Sequence, residues 1–283
     1  MRIAISGSKG QLGLALQEVL RRAGGIGDAL LLIDLPEHDI TDLAAITATV
    51  EEFGPEVIVH GAALTDVDLC EREPDLAYRV NVLGTRNLAV AAQQSGAAMV
   101  YVSTDYVFPG REAPYWEYDR PEPLSVYART KWYGEQIVRD LLSRHYVART
   151  AWMYGQGPRN FVRTVLRLAD ERGAMSMVTD EVGSPTYALH LARALDRLVR
   201  VPAYGIYHLS NAGVCSRYEW ACEVLRLAGR EGIEVTPTTN YQRLARVPAR
   251  VELRNAAGEA IGITMPPWQE ALAEYLKRTG DHE

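Results

Sequence analysis

The sequence predicts an α/β protein with a Rossmann-type, doubly wound parallel sheet and a smaller C-terminal substrate-binding region. Over the first half, short and continuously apolar runs alternate with segments whose apolar residues recur every three to four positions. A glycine-rich loop lies between the first apolar run and the first helical segment. Strands that are apolar on both faces and are separated by helices form parallel sheets covered on both sides. Ligands of such sheets bind beyond the carboxyl ends of the strands.

The elements of the first half follow from this alternation. The predicted strands are 2–6, 30–35, 57–62, 98–103 and 146–149. The predicted helices between them are 11–23, 41–53, 74–94 and 126–142.

The second half has a looser pattern with frequent proline and glycine turn signals. One further strand, near 205–209, should complete the sheet. The predicted helices are 160–172, 187–200, 217–227 and 268–277. We therefore divide the chain into a sheet domain over 1–150 and a mainly substrate-binding region over 151–283.

Composition excludes several classes of protein. The 283 residues carry a net charge of −6 and 47% are apolar, which is ordinary for a globular chain and disfavours nucleic acid as a partner. No apolar run reaches the roughly 18 residues of a membrane span, and the N-terminus lacks the layout of a signal peptide. We expect a soluble, cytoplasmic protein that does not bind a membrane.

The cysteines and lysines are informative by their number and position. Three scattered cysteines fit neither a disulfide framework nor zinc-ligand spacing, so no metal site is predicted. Only three of the 30 basic residues are lysines. Two of them, Lys9 and Lys131, fall within the motifs described next.

The glycine-rich loop has the features of a dinucleotide-binding loop. Gly7, Gly10 and Gly13 follow the first strand and open the first helix, where glycine permits a tight turn and close approach of a pyrophosphate. Asp34 comes 21 residues after Gly13, as expected for a carboxylate that binds the adenosine ribose of NADH. Lys9 could instead neutralise the 2′-phosphate of NADPH. Residues 1–150 are thus predicted to bind NADPH or NADH, with both cofactors tolerated.

A second motif supplies groups for proton transfer. Tyr127 and Lys131 are four residues apart and so share one helical face. A nearby ammonium group favours the phenolate and lowers the pKa of a tyrosine, which is otherwise near 10. Thr104, in the segment Ser103-Thr104-Asp105, ends a predicted strand at the ligand-binding edge. Although Tyr-x-x-x-Lys is common by chance, these groups together indicate hydride transfer between nicotinamide and a carbonyl or alcohol.

At this point the sequence resembles the extended short-chain dehydrogenase/reductases, and more narrowly the dTDP-4-dehydrorhamnose reductases. The most specific motifs are Ser103-Thr-Asp-Tyr-Val-Phe108, Arg149-Thr-Ala-Trp152 and Gly183-Ser-Pro-Thr186. The resemblance extends over nearly the whole chain, at residues 7–13, 39–42, 60–68, 103–108, 127–135, 149–155, 183–186, 205–208 and 267–272.

The resemblance implies an activity and a set of site residues. The activity is NAD(P)H-dependent reduction of the 4-keto group of a dTDP-4-keto-6-deoxy sugar, giving dTDP-L-rhamnose from dTDP-4-dehydrorhamnose. Tyr127, Lys131 and Thr104 would be catalytic, and Thr104, Asp105 and Trp152 would contact the sugar nucleotide. The implied cofactor contacts, with those argued above, are Gly7, Gly10, Gln11, Leu12, Gly13, Asp34, Asp39, Ile40, Ala62, Ala63, Thr65, Val102, Tyr127 and Lys131.

One stretch departs from the family pattern. An Arg-Pro pair is usual before the last substrate-binding segment, whereas this chain has Arg246-Val247-Pro248. The substrate diphosphate could therefore meet Arg246, Arg250 or Arg254. The proline-rich loop 109–123 is expected to cover the active site, and a homodimer is left open.

Three alternatives share this fold. A 4,6-dehydratase needs a glutamate after Asp105, where this chain has Tyr106. An epimerase acting through an oxidised intermediate would retain its nicotinamide over many turnovers. A regulatory subunit of methionine adenosyltransferase would have no catalytic turnover of its own.

Overall fold

The computed structural model describes residues 1–23, 29–111, 113–157, 160–239 and 241–280. Residue 112, inside the proline-rich loop, lies outside the described residues. The strands are β1 (Arg2–Ser6), β2 (Ala29–Ile33), β3 (Val57–His60), β4 (Ala98–Thr104), β5 (His145–Thr150), β6 (Met153–Tyr154), β7 (Ala174–Val178), β8 (Val182–Gly183), β9 (Thr186–Tyr187), β10 (Gly205–His208), β11 (Cys215–Ser216) and β12 (Glu234–Thr238).

Helices connect these strands on both faces of the sheet. They are α1 (Gln11–Ala23), α2 (Leu43–Phe53), α3 (Val67–Arg72), α4 (Pro74–Tyr78), α5 (Thr85–Ser95), α6 (Val126–Leu141), α7 (Phe161–Arg172), α8 (Ala188–Leu198), α9 (Arg217–Leu227), α10 (Ala256–Ala260) and α11 (Trp268–Thr279), with a π-helical turn at Arg79–Gly84 and a 3₁₀ turn at Asp105–Val107. None of the helices in the described ranges is long and apolar enough to cross a bilayer.

The central sheet has the order β2-β1-β3-β4-β5-β10, and every neighbouring pair is parallel. The predicted doubly wound α/β fold is thereby confirmed. The direction of strand addition reverses between β1 and β3, and such a switch point opens a crevice beyond the carboxyl ends of the two strands. The fold therefore places a ligand cleft between the loops that follow β1 and β3.

The prediction of one continuous helix over 74–94 is wrong. The segment consists of α4, the π-helical turn and α5. Within the turn the hydroxyl of Thr85 donates to the carbonyl of Asn81 at 2.6 Å, and a side chain at Gly84 would approach Ile40 within 2.7 Å. Tertiary packing against Ile40, which apolar periodicity does not reveal, accompanies the widened turn.

Both halves of the chain contribute to one core. Leu16 of α1 and Leu195 of α8 belong to the same cluster of buried side chains as Ile5 of β1. Ile263 and Met265, from the far end of the chain, also belong to it. A second cluster, built mainly from α7, α9 and α11, lies within the second half of the chain and contains Tyr154, Trp220 and Tyr275.

The proline-rich loop is held at its middle by contacts with the C-terminal part of the chain. The backbone of Tyr115 pairs with residues 252 and 254, and Ala257 donates its N–H to the buried Glu117 carboxylate at 2.8 Å. The Tyr118 hydroxyl lies 3.7 Å from the position of a Cβ on Gly205, at the amino end of β10. Tyr118 therefore lies away from the carboxyl ends, where ligands bind, whereas Tyr115 belongs to a buried cluster against which Trp152 is packed. That the loop covers the site stays a prediction.

Candidate active site

The glycine-rich loop forms a narrow cradle at the N-terminus of α1. Gly7 has φ +72°, and a Cβ on it would lie 2.8 Å from the backbone nitrogen of Ala62. A Cβ on Gly13 would lie 2.3 Å from the carbonyl oxygen of Gly7. Glycine is therefore required at both positions, and the cradle lies where α1 begins at Gln11. This backbone geometry fits a bound pyrophosphate.

The cradle opens into a cleft of about 530 Å³ at the switch point. Every predicted cofactor residue except Val102, Tyr127 and Lys131 lines it, namely Gly7, Gly10, Gln11, Leu12, Gly13, Asp34, Asp39, Ile40, Ala62, Ala63 and Thr65. Met153, Gln156 and Gly157 line the same cleft but were missed by the sequence analysis. They come from the second half of the chain, and only folding places them beside α1. The shape and lining of the cleft suit a dinucleotide.

Asn81 ties the cofactor cleft to the helix that carries Tyr127. Its side-chain oxygen accepts the N–H of Leu64 at 2.7 Å, and its amide nitrogen donates to the carbonyl of Leu64 at 3.1 Å. The same nitrogen donates to the hydroxyl of Thr130 at 3.0 Å. Asn81 is buried within the π-helical turn. No sequence motif that we considered singled it out, because its partners lie 17 and 49 residues away.

Thr104 and Tyr127 meet at the carboxyl edge of the sheet. Thr104 is the last residue of β4, and Tyr127 lies in the first turn of α6, which Ser125 caps by accepting the N–H of Ala128 at 3.2 Å. Burial raises the pKa of Tyr127, whereas its hydrogen bond with Thr104 acts in the opposite direction. The phenol is therefore held protonated next to a hydroxyl group, as a proton donor requires.

Lys131 is buried one helical turn beyond Tyr127. Its ammonium group lies 4.3 Å from the centre of the Tyr101 ring. Burial lowers the pKa of Lys131 to about 7, and Glu135 opposes that shift. We expected Lys131 to lower the pKa of Tyr127, but here the lowering influence on that phenol comes from Thr104.

Ser103, which precedes Thr104, faces a different network. Its hydroxyl donates to Glu135 at 2.5 Å, and Glu135 receives two hydrogen bonds from Arg149, at 2.9 and 2.7 Å. Arg149 also donates to the carbonyl of Glu117 in the proline-rich loop. This buried network joins β4, β5, α6 and the loop. Thr104 is thus the hydroxyl that is available to the active site.

Asp105, predicted to contact substrate, is a buried carboxylate. Burial raises its pKa to about 7, while the hydrogen bond from Thr104, at 3.1 Å, and the charge of Arg217 act to lower it. Near neutral pH its charge is therefore poised between two states. A substrate hydroxyl could accept a hydrogen bond from the protonated carboxyl group and could donate one to the ionised carboxylate.

Trp152 and Arg217 stack on each other, and the charge of Arg217 acts on Asp105. Trp152 has the unusual φ of +41°, and the guanidinium of Arg217 stacks 3.5 Å from the centre of a ring of Trp152. Arg217 also pairs with Glu181 at 3.5 Å. The sequence analysis missed Arg217, because the first position of a helix gave no signal for a role in the site.

The three arginines considered for the diphosphate are all exposed. Arg254 lies over Trp116 of the proline-rich loop, and Arg250 pairs with Glu252 at 3.6 Å. The N–H of Ala245 donates to Asp68, which places Arg246 beside α3. The three arginines thus have different neighbours, and no contact in the described residues joins them. Within the described ranges no group of three acidic, histidine or cysteine side chains could hold a metal ion.

Comparisons with known proteins agree over the whole chain. The family model described as "RmlD substrate binding domain" matches residues 1–280. A spore coat polysaccharide biosynthesis protein, SpsK, of Bacillus subtilis is 37% identical, covering 98% of this chain and 97% of its own length. The dTDP-4-dehydrorhamnose reductase of Escherichia coli is 33% identical, with 98% and 97% coverage.

Solved structures give the same result. A dTDP-4-dehydrorhamnose reductase of Clostridium acetobutylicum superimposes with a TM-score of 0.95 at 39% identity, covering 99% of this chain and 100% of its own. The corresponding protein of Bacillus anthracis, in complex with NADP, gives 0.92 at 38% identity, with 98% of each chain covered.

Proposed function

The chain belongs to the dTDP-4-dehydrorhamnose reductase family, and from that premise we propose that it reduces the 4-keto group of a dTDP-4-keto-6-deoxy sugar with NADPH or NADH. The product would be dTDP-L-rhamnose if the sugar is dTDP-4-dehydrorhamnose. The observation that carries the proposal is the hydrogen-bonded pair Thr104 and Tyr127, at the edge of the sheet beyond which the dinucleotide cleft opens.

We assign Tyr127 as the general acid. A bound NAD(P)H supplies the hydride that reduces the C4 carbonyl carbon. The phenol of Tyr127 donates its proton to the carbonyl oxygen as that oxygen becomes a hydroxyl, and Thr104 orients the same oxygen by hydrogen bonding. Since burial keeps the phenol protonated, it is ready to donate before the sugar binds.

Lys131 and Asp105 have separate roles in this proposal. Lys131, buried next to Tyr127, would hold the cofactor ribose and place a positive charge near the phenolate that forms. Asp105 and Trp152 would bind the sugar, with Arg217 holding the indole in position through its stacked guanidinium.

A panel of 4-keto nucleotide sugars tests the proposal. The purified protein is incubated with NADPH or NADH and each sugar, and cofactor oxidation is followed by absorbance while the product is identified by NMR. We expect stoichiometric, continuing cofactor consumption with the dTDP-4-keto-6-deoxy sugar and reduction at C4. Consumption solely with the sugar of another nucleotide would overturn the dTDP assignment. A product epimerised without net cofactor oxidation would overturn the reductase assignment.

A further inference from the structure

The side chain of Lys9 is held by an acidic residue outside the glycine-rich loop. Its ammonium group donates to Glu37 at 2.7 Å and to the carbonyl of Leu35 at 2.6 Å. The backbone N–H of Lys9 donates to one oxygen of Asp34 at 2.7 Å, and that of Leu35 donates to the other at 2.9 Å. At the carboxyl end of β2 the ammonium group of Lys9 is thus paired with the carboxylate of Glu37, and its backbone N–H with that of Asp34.

These residues lie where the adenosine ribose of a dinucleotide would be bound. Lys9 and Asp34 line the cofactor cleft and also an adjoining cavity of about 340 Å³. Glu37 and His38 complete the outer wall of that cavity. In Rossmann folds the acid that ends the second strand binds the ribose hydroxyls. The adjoining cavity is therefore the space into which a 2′-phosphate would project.

We propose that Glu37 selects against the 2′-phosphate of NADPH by occupying Lys9, and that removing its charge shifts the cofactor preference toward NADPH. This inference rests on the proposed function, because it concerns which nicotinamide cofactor the same cleft takes.

Charge explains the direction of the selection. A phosphomonoester carries a charge between about −1.5 and −2 at neutral pH. To reach Lys9 it must displace the carboxylate of Glu37 and approach that of Asp34. The 2′-hydroxyl of NADH meets no such opposition, since it can donate a hydrogen bond to Asp34. The hydrogen bond from Lys9 also lowers the pKa of Glu37, so that its carboxylate stays ionised.

Exposure limits the size of the effect. The side chains of Lys9 and Glu37 are 58% and 62% exposed, so water and salt screen their attraction. The pair can open, and both cofactors should still bind. We expect Glu37 to change the preference by about five- to tenfold.

Adenine nucleotide fragments test this without any catalytic turnover. Binding of 5′-AMP and of 2′,5′-ADP is measured by calorimetry for the wild type, Glu37→Gln and the matched control Glu51→Gln. Glu51 is an exposed acid on α2 outside the cofactor cleft, and its substitution changes the net charge equally. Glu37→Gln should bind 2′,5′-ADP about five- to tenfold more tightly with unchanged affinity for 5′-AMP, and Glu51→Gln should match the wild type. Equal tightening of both fragments, or no change in either, would overturn the proposal.

Lys9→Ala supplies the second arm. This substitution should weaken the binding of 2′,5′-ADP but not that of 5′-AMP. In a protein that already carries Lys9→Ala, Glu37→Gln should raise the affinity for 2′,5′-ADP by less than about threefold. The gain from Glu37→Gln should also shrink between about 0.02 M and about 0.5 M salt. If Glu37→Gln still raised the affinity for 2′,5′-ADP by the full amount in the absence of the Lys9 ammonium group, Glu37 would not act by pairing with Lys9. Because the fragments lack nicotinamide, the result stands even if no sugar is reduced.

Discussion

Tyr127 illustrates how burial and a single neighbour set the state of a reactive group. A phenol exposed to water already holds its proton at neutral pH, and burial strengthens that preference. Thr104 lies beside it and moderates the shift. The arrangement favours donation of a proton to a developing alkoxide over its removal from an alcohol, which suits reduction.

Replacing Tyr127 by phenylalanine should separate chemistry from binding. The ring is retained and only the proton donor is lost, so kcat should fall by about 10²–10⁴-fold while the affinity for NAD(P)H is largely kept. Stopped-flow rates of cofactor oxidation, together with the fluorescence titration of NADPH, give the two quantities. A variant that turns over at the wild-type rate would remove Tyr127 from the mechanism.

Asp105 should make the stability of the protein depend on pH. Its folded pKa, about 7, lies above its ordinary value of 3.8. The folded state therefore binds the proton more tightly, so this stabilising contribution is complete below about pH 4 and is lost as the pH rises through 7. The total is up to about 4 kcal/mol.

Asp105→Asn tests this, because an amide does not ionise. The free energy of unfolding is measured by urea titration at pH 5 and at pH 8.5. The difference between the variant and the wild type should shift in favour of the variant as the pH rises. Thr104→Ser, which keeps the hydroxyl beside Asp105, serves as a control and should follow the pH dependence of the wild type. A constant difference between Asp105→Asn and the wild type at the two pH values would show that the carboxylate is not destabilised by burial.

At the scale of elements, the sequence predicted the first and last residues of a helix correctly where the spacing of its apolar residues begins and ends sharply. The predicted bounds of α1 and α9 agree with the structure, and α9 begins with the capping box formed by Ser216 and Glu219. Strand β2 was predicted to begin one residue late and to end two residues late, at 35, because Asp34 accepts the N–H groups of Lys9 and Leu35 and turns the chain there.

The candidate site was predictable to the extent that it consists of local motifs. The glycine-rich loop and the Tyr127–Lys131 spacing each follow from a few neighbouring residues. Asn81, Gln156 and Arg217 were missed, because each acquires its position through contacts with distant parts of the chain. No periodicity or spacing in the sequence encodes those contacts.

The buried pair of Glu135 and Arg149 should stabilise the junction of β4, β5 and α6. Both side chains are almost fully buried, and Ser103 adds a third polar group to the pair. Arg149→Met would leave the Glu135 carboxylate buried without its cation, so the free energy of unfolding should fall by about 3–5 kcal/mol. Chemical denaturation measures this loss.

The double variant Glu135→Gln/Arg149→Met provides the control for that prediction. It removes both charges, so it should lose less stability than the sum of the two single variants. Additive losses would mean that the two groups stabilise the fold independently.

At the scale of the whole molecule, the two halves do not have separate cores. Helix α8 packs on α1, and β10 extends the sheet beyond β5. The buried core is therefore continuous across the predicted division near residue 150, and the cofactor cleft also takes residues from both sides of it. Trp152, which is predicted to contact substrate, directly precedes Met153, and Met153 lines the cofactor cleft.

The continuous core predicts a single cooperative unfolding transition for the full chain. Differential scanning calorimetry should give one peak whose calorimetric and van't Hoff enthalpies agree. A fragment of residues 1–150 would expose the faces of α1 and β5 that α8 and β10 cover, so it should show no cooperative transition when expressed alone. Co-expression with residues 151–283 should restore a complex that binds NADPH. Two resolved calorimetric peaks, or a stable fragment 1–150, would instead establish two independently folding domains.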